Sequence, residues 1–334
     1  MKVFKVNSLP LKDVIISLSK SFEVDYKESC DEYWLDIPSS YGKGQIRGVN
    51  FDNGLGVIVY DCCFRMDLRI EFTVDDVHPV KYIYSVEGKI QHTFANEREN
   101  HSIEKYQCVI VASKQRNGHV LQFYKNLNNK IVSLEIDRYR FINSTSCEID
   151  SLVPELCDLF RDTKAEKTYY HEGYYGLQFR EIFDNINRYQ DRALARKFYL
   201  ESIALNVFVN QLVEFEDDML TEDNREVLRQ NEVDAAEKLT EYIKHNSDKK
   251  LSIEHLSKKS GLNSNKLQKL FKYLYNTTVN NYINDRRLDK AMELLQDTNL
   301  NISEIALKTG FNNNSYFSKI FKKKLGVSPS VFRR

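Results

Sequence analysis

Three observations predict an α+β protein in two parts. A chain of 334 residues spans about two domains of ~100–200 residues each. The hydrophobic pattern alternates with period two through most of residues 42–145 and turns helical from 151 onward. The net charge of zero divides unevenly. Residues 234–334 carry 19 Lys or Arg against 10 Asp or Glu, which leaves 29 against 38 for residues 1–233. An acidic body joined to a basic C-terminal part points to a polyanionic partner for that part.

The elements follow in chain order. Residues 1–37 read as strand, helix, strand, with Leu11, Val14, Ile15 and Leu18 at helical spacing. Gly42-Lys43-Gly44 and Asp52-Asn53-Gly54 read as turns. Strands are predicted over 55–60, 67–73, 80–86, 90–94, 106–112, 119–124 and 131–136. In the second of these Leu68, Ile70 and Phe72 alternate with Asp67, Arg69 and Glu71. Short strands in series predict a sandwich or barrel. Helices are predicted on Leu152, Leu156, Leu159 and Phe160, on Phe179, Ile182, Phe183 and Ile186, and over 192–215. A polar loop running through Tyr170 separates the first two. The acidic stretch over 217–233 reads as a linker, and 234–334 as wholly helical. The expected domains are thus 1–216, β-rich over 40–145 and helical over 150–216, and 234–334.

Several function classes drop out. No run approaches ~18 uncharged apolar residues, so no membrane span is expected. The first residues lack a basic segment followed by an apolar run, so the cytoplasm is the expected compartment. Cysteines at 30, 62, 63, 108, 147 and 157 form no C-x2-C pair, and read as small buried hydrophobes in a reducing compartment. No phosphate loop, dinucleotide fingerprint or nucleophile elbow occurs, so no enzyme and no cofactor is expected.

The C-terminal part contains an internal repeat. Ile253, Leu256, Gly261, Leu262 and Asn263 correspond to Ile302, Ile305, Gly310, Phe311 and Asn312, 49 residues on. Glycine ends a helix because it takes positive φ at no steric cost. The next apolar residue plugs the angle, and Asn263 or Asn312 caps the following helix. Each copy therefore reads as a helix-turn-helix whose second helix fits a DNA major groove. Residues 279–295, with Tyr282, Ile283, Leu288, Ala291 and Leu294-Leu295, suit one connecting helix.

These residues resemble a known family. Ile283, Arg286-Arg287-Leu288, Ala291, Ile302-Ser303-Glu304-Ile305-Ala306, Gly310-Phe311, Ser315-Tyr316-Phe317-Ser318-Lys319-Ile320-Phe321 and Gly326-Val327-Ser328-Pro329 are similar to the AraC/XylS-type DNA-binding domain. The resemblance implies seven helices and two readers in successive major grooves of double-stranded DNA. It places Asn265, Gln268 and Lys269 on the first reader and Asn314, Ser315, Ser318 and Lys319 on the second. Asn and Gln can bond adenine bidentately and Lys can donate to guanine. Lys266, Lys272, Lys322, Lys323 and Lys324 are expected at phosphates or in solvent.

The run from Gly42 to Gly48, with Phe51 and Gly54-Leu55-Gly56, resembles siderophore-responsive regulators of the same family. That resemblance implies a cupin-like β barrel holding a small-molecule effector, with flanking helices for pairing with a second copy. Phe64, Tyr82, Tyr84 and Phe123 are the candidate effector contacts, with core packing as the competing reading. His78, His92, His101 and His119 stand apart in sequence without an H-x-H pair, so no metal is expected. The expected function is a ligand-responsive, sequence-specific transcriptional regulator, with RNA polymerase as partner if it activates. The alternatives are a repair or redox protein using the body cysteines, Cys62 and Cys63 above all, and a constitutive DNA-binding regulator.

Overall fold

A computed structural model describes residues 1–7, 9–73, 77–145, 149–175, 179, 182–183, 185–220 and 230–333. The chain divides into two compact units, Met1–Arg225 and Glu226–Arg334.

In the first unit the strands are β1 (Lys2–Val6), β2 (Tyr26–Ser29), β3 (Glu32–Asp36), β4 (Gly42–Asn50), β5 (Leu55–Phe64), β6 (Leu68–Phe72), β7 (Val80–Glu87), β8 (Ile90–Phe94), β9 (Asn100–Ile103), β10 (Gln107–Ala112), β11 (His119–Phe123), β12 (Asn128–Ile136) and β13 (Tyr169–Tyr175). Its helices are α1 (Leu11–Phe22), α2 (Arg138–Ser144), α3 (Pro154–Arg161) and α4 (Ala193–Leu220).

The strands form two open sheets, where a barrel had been expected. The smaller runs β1-β6-β11-β8-β9 and the larger β13-β10-β7-β12-β5-β4-β3-β2. Among the described residues neither sheet closes on itself. The reason is their separation: each sheet keeps its own two edges, and side chains rather than backbone bonds join them. One core cluster takes Phe4, Ile70, Phe94 and Phe123 from the smaller sheet, Ile46, Tyr60, Phe64, Ile83 and Val111 from the larger, and Leu18 and Phe22 from α1. Burying each such side chain contributes about 1.5–3 kcal/mol.

The other face of the larger sheet is covered by helices. Tyr82 meets Phe208 of α4, with ring centroids 6.2 Å apart. Tyr84 meets Phe179 and Phe183. Arg196 of α4 donates from Nη2 to Glu32 Oε1 at 2.6 Å, and Arg47 of β4 is the second partner of that carboxylate. This buried ionic contact fixes α4 on the sheet, because either charge would be costly to bury alone.

Local readings change in four places. Gly42 and Gly44 lie within β4 rather than in a turn, opposite Phe64 and Cys62 of β5. A side chain at Gly44 would collide with the Asp61 carbonyl, so close strand approach is what requires glycine there. Residues 169–175, read as partly polar loop, form edge strand β13 on β10. The helix read over Phe179 to Ile186 includes 180, 181 and 184, outside the described residues, and 185–190 is turn. Of the linker read over 217–233, α4 takes 217–220, a helix begins at 230, and 221–229 lie outside the described residues.

The second unit contains seven helices among the described residues: α5 (Gln230–Asn246), α6 (Ile253–Ser260), α7 (Ser264–Tyr275), α8 (Val279–Asp297), α9 (Ile302–Lys308), α10 (Asn314–Leu325) and α11 (Pro329–Phe332). Two cores flank α8. One joins Leu239, Ile243, Leu256, Leu267, Phe271 and Ile283. The other joins Leu288, Leu295, Ile305, Phe311, Phe317 and Phe321. No helix among the described residues is long and apolar enough to cross a membrane.

Candidate nucleic-acid interface

Each helix-turn-helix is built by local capping chemistry. In the first, Ser252 caps α6 by accepting from the His255 N–H at 3.2 Å. Gly261 ends α6 with φ 72°, and Asn263 caps α7 by accepting from Lys266 N–H at 2.8 Å. In the second, Asn301 and Glu304 form a reciprocal capping box on α9. Gly310 takes φ 88°. The cap of α10 is Asn313, which accepts from Tyr316 N–H at 2.9 Å. The cap expected at Asn312 thus moves on by one residue. Asn312, Asn313 and Asn314 can all serve chemically, and it is Asn313 that has the extended backbone and the bond to Tyr316 N–H.

The reader helices present matching faces. In α7 Leu267, Leu270, Phe271 and Leu274 are buried, while Asn265, Lys269, Lys272 and Tyr273 are exposed. In α10 Phe317 and Phe321 are buried, while Asn314, Ser315, Tyr316 and Lys319 are exposed and Ser318 is half-buried. Polar residues at i, i+3, i+4 and i+7 lie on one stripe of a helix. Helix α8 joins the units, and its 19 residues make it about 28 Å long at ~1.5 Å per residue. That is close to the ~34 Å turn of duplex DNA.

Not every candidate reader is equally placed. Gln268 is half-buried, and its Oε1 accepts the Val279 N–H at 3.3 Å, where α8 begins. That contact occupies the acceptor that bidentate adenine readout needs and leaves Nε2 as the donor. Asn314 Nδ2 donates to Ser303 Oγ at 2.6 Å. Tyr316 lies in the family motif but was not among the candidate readers. It is exposed on the second reader, and its hydroxyl accepts from Asn284 Nδ2 of α8 at 3.3 Å. Its signal was an exposed aromatic between polar positions 315 and 318.

The lysines also separate. Lys266 pairs with Glu232 of α5. Lys324 pairs with Asp285 at 2.9 Å and Asp289 at 3.4 Å, both on α8. Lys272 donates to Asn276 Oδ1 at 3.3 Å. Lys322 and Lys323 are exposed.

The four aromatic candidates of the first unit do not share a site. Phe64 and Phe123 pack on each other in the core between the sheets, with centroids 5.5 Å apart. Tyr82 and Tyr84 point to the opposite face of the larger sheet, against Phe208 of α4 and Phe179 and Phe183. Successive strand residues face opposite sides, and Ile83 takes the core side.

Burial pushes the Cys62 thiol upward, away from the reactive thiolate. Cys147 lies outside the described residues. No three His, Cys, Asp or Glu side chains converge to hold a metal among the described residues.

Comparisons with known proteins fall mainly on the second unit. A family model described as a helix-turn-helix domain matches residues 256–334. The HTH-type transcriptional activator AarP of Providencia stuartii is 37% identical over 92 residues, covering 28% of this chain and 68% of AarP. The transposon Tn10 TetD protein of Escherichia coli is 39% identical over 93 residues, covering 28% of this chain and 67% of its own length. A solved structure of apo ToxT from Vibrio cholerae aligns with 84% of this chain and 97% of its own at 17% identity and a TM-score of 0.34. At that score no equivalence of the first units follows.

Proposed function

This chain belongs to the AraC family of transcriptional regulators, and from that premise we propose how its parts divide the work. It is a DNA-binding regulator. Residues 234–334 read DNA, and residues 1–216 receive a small-molecule signal and pass it on across 217–233. The observation that carries this reading is the pair of capped helix-turn-helix units on one connecting helix, each with a polar outer stripe. Asn265, Lys269, Ser315, Ser318 and Lys319 reach base edges, Gln268 donates through Nε2, and Asn314 is oriented by Ser303. Lys322 and Lys323 meet phosphates, a contact that sets affinity and salt dependence rather than sequence choice. The cytoplasm is the compartment this requires, and RNA polymerase is the further partner where the protein activates.

Pairing with a second copy through α4 completes the reading. Its inner face buries Leu200, Ile203, Val207 and Phe208, yet Leu194 and Phe198 are 63% and 61% exposed, and Leu205, Val209 and Val213 continue that outer stripe. A solvent-facing apolar row on one long helix favours an isologous contact, since the same row meets itself in the copy. Sedimentation of wild type and Phe198→Glu tests this; a monomeric wild type contradicts it.

The DNA reading is tested by incubating full-length protein with sheared genomic DNA of its source and sequencing what is retained over nonspecific competitor. A small set of strongly enriched fragments is expected. Uniform retention, or none, counts against sequence-specific binding.

A further inference from the structure

The first unit gathers four of the chain's seven histidines in one place, although they stand far apart in sequence. His92 on β8, His101 on β9 and His119 on β11 come from three adjacent strands of the smaller sheet. The rings of His78 and His119 lie 5.3 Å apart, edge to face. His92 and His119 are fully buried, and His92 Nε2 lies 3.1 Å from His119 Nδ1.

That contact has an unusual consequence. One nitrogen of the pair donates and the other accepts, so both rings are neutral or one alone is charged. Among the described residues, His92 Nδ1 and His119 Nε2 have no hydrogen-bond partner. In either tautomer, then, one buried N–H and one buried lone pair stay unmatched. A first added proton leaves two unmatched donors and a charge; a second breaks the contact itself.

Basic neighbours act against that charge. Below the histidines, Lys81 of β7 is paired with Glu135 of β12. Arg138 of α2 donates to the His78 carbonyl at 3.3 Å and pairs with Asp162 at 3.4 Å. Tyr170 of β13 stacks on His101 at 3.8 Å, and Glu172 and Glu99 act on Tyr170. Glu135 and Asp162 are thus already committed to cations, and the groups that act on the buried rings are themselves basic. Burial, reinforced by His101 and Lys81, brings His92 down to about 3. Burial, then His92, Lys81, His78 and Arg138, brings His119 well below its ordinary value.

Resting on the regulator reading above, we propose that this cluster makes the protein acid-responsive: proton uptake by His92 and His119 opens the smaller sheet, so that the proton is itself an effector of the first unit. The onset is set by the open form, where a histidine titrates near ~6.5. The closed form holds these rings neutral, so its advantage is intact above about pH 6.5 and is lost as pH falls below it. From pH 7.5 to 5.5 each histidine favours opening by about tenfold, and the pair by about a hundredfold.

The test is amide hydrogen exchange of the full-length protein at pH 7.5 and 5.5, corrected for intrinsic exchange, beside the double variant His92→Gln, His119→Gln. Protection in β8, β9 and β11 is expected to fall about a hundredfold in the wild type and to stay within about threefold in the variant. No fall in the wild type, or an equal fall in the variant, overturns the proposal. Should the variant not fold, imidazole nitrogen spectra of the wild type decide. Rings of His92 and His119 that stay neutral until the strands open support it, and rings that titrate near pH 6.5 with the strands still protected overturn it. Binding to a genomic fragment retained by the protein is measured in the same samples. An affinity that changes with pH in the wild type alone supports control by the proton. An unchanged affinity while the strands open overturns that control. Absence of DNA binding at both pH values counts instead against the regulator reading, while the exchange result stands.

Discussion

Gly261 and Gly310 occupy matching turns of the two helix-turn-helix units, yet their surroundings differ. A methyl group added to Gly261 would meet nothing within 4 Å, whereas one added to Gly310 would lie 2.7 Å from the Asp248 carbonyl oxygen. The second turn is held against residues 247–249 of the segment after α5, where Arg287 Nε donates to Ser247 O at 2.7 Å and Nη2 to Lys249 O at 3.0 Å. The first turn has open space around it and takes its support from side chains: Ser257 to the Leu262 carbonyl, Gln268 to Val279, Lys266 to Glu232. One turn chemistry therefore rests on two supports. The first helix-turn-helix is propped by side chains, Gln268 among them; the second also commits Asn314 and Tyr316 but is in addition clamped from behind.

The largest expected effect breaks the clamp. Gly310→Ala combines left-handed strain with a backbone collision and should destabilise the second unit by more than about 3 kcal/mol. Gly261→Ala carries only the strain, about 1–2 kcal/mol. Urea titration of both variants checks this, and equal losses would erase the distinction. Next comes readout. Lys319→Ala should cost about 1–3 kcal/mol on a retained fragment and relax one base position. Gln268→Ala should weaken the retained fragment more than nonspecific DNA and, unlike Lys319→Ala, also lower Tm, because it strips the Val279 N–H of its partner. Competition binding and a melting curve separate the two. Removing either cap, Asn263→Ala or Asn313→Ala, should cost about 1 kcal/mol, and an unaffected Asn313→Ala with a destabilised Asn312→Ala would reverse the cap assignment. The smallest effect concerns phosphates. Lys323→Ala should flatten the dependence of log affinity on log salt by ~0.9, while Lys324→Ala, already paired with two carboxylates, should leave the slope unchanged.

What could be read from sequence follows from how local its cause is. Gly261, Asn263 and Gly310 act within a few residues, so the turns and the connecting helix were legible. The cap shift from Asn312 to Asn313 was not, since three consecutive asparagines offer the same chemistry. In the first unit the strands over 55–136 were mostly legible by alternation, while β9, β13 and the start of β4 were not, and neither were the strand partners. The order β6-β11-β8-β9 is non-sequential, and it alone brings His92, His101 and His119 together. The same gap hid the division of Phe64 and Phe123 from Tyr82 and Tyr84 between opposite faces. On α4, Leu194, Phe198 and Leu205 face outward and Phe208 inward; an apolar residue does not announce which of two apolar faces it belongs to.

Methylation interference on a fragment retained by the full-length protein tests the central claim most directly, since a methyl on guanine N7 blocks the major groove alone. Two clusters of interfering positions on one face of the duplex, about one helical turn apart, are expected. A single cluster, or interference spread evenly along the fragment, would contradict readout by two helix-turn-helix units.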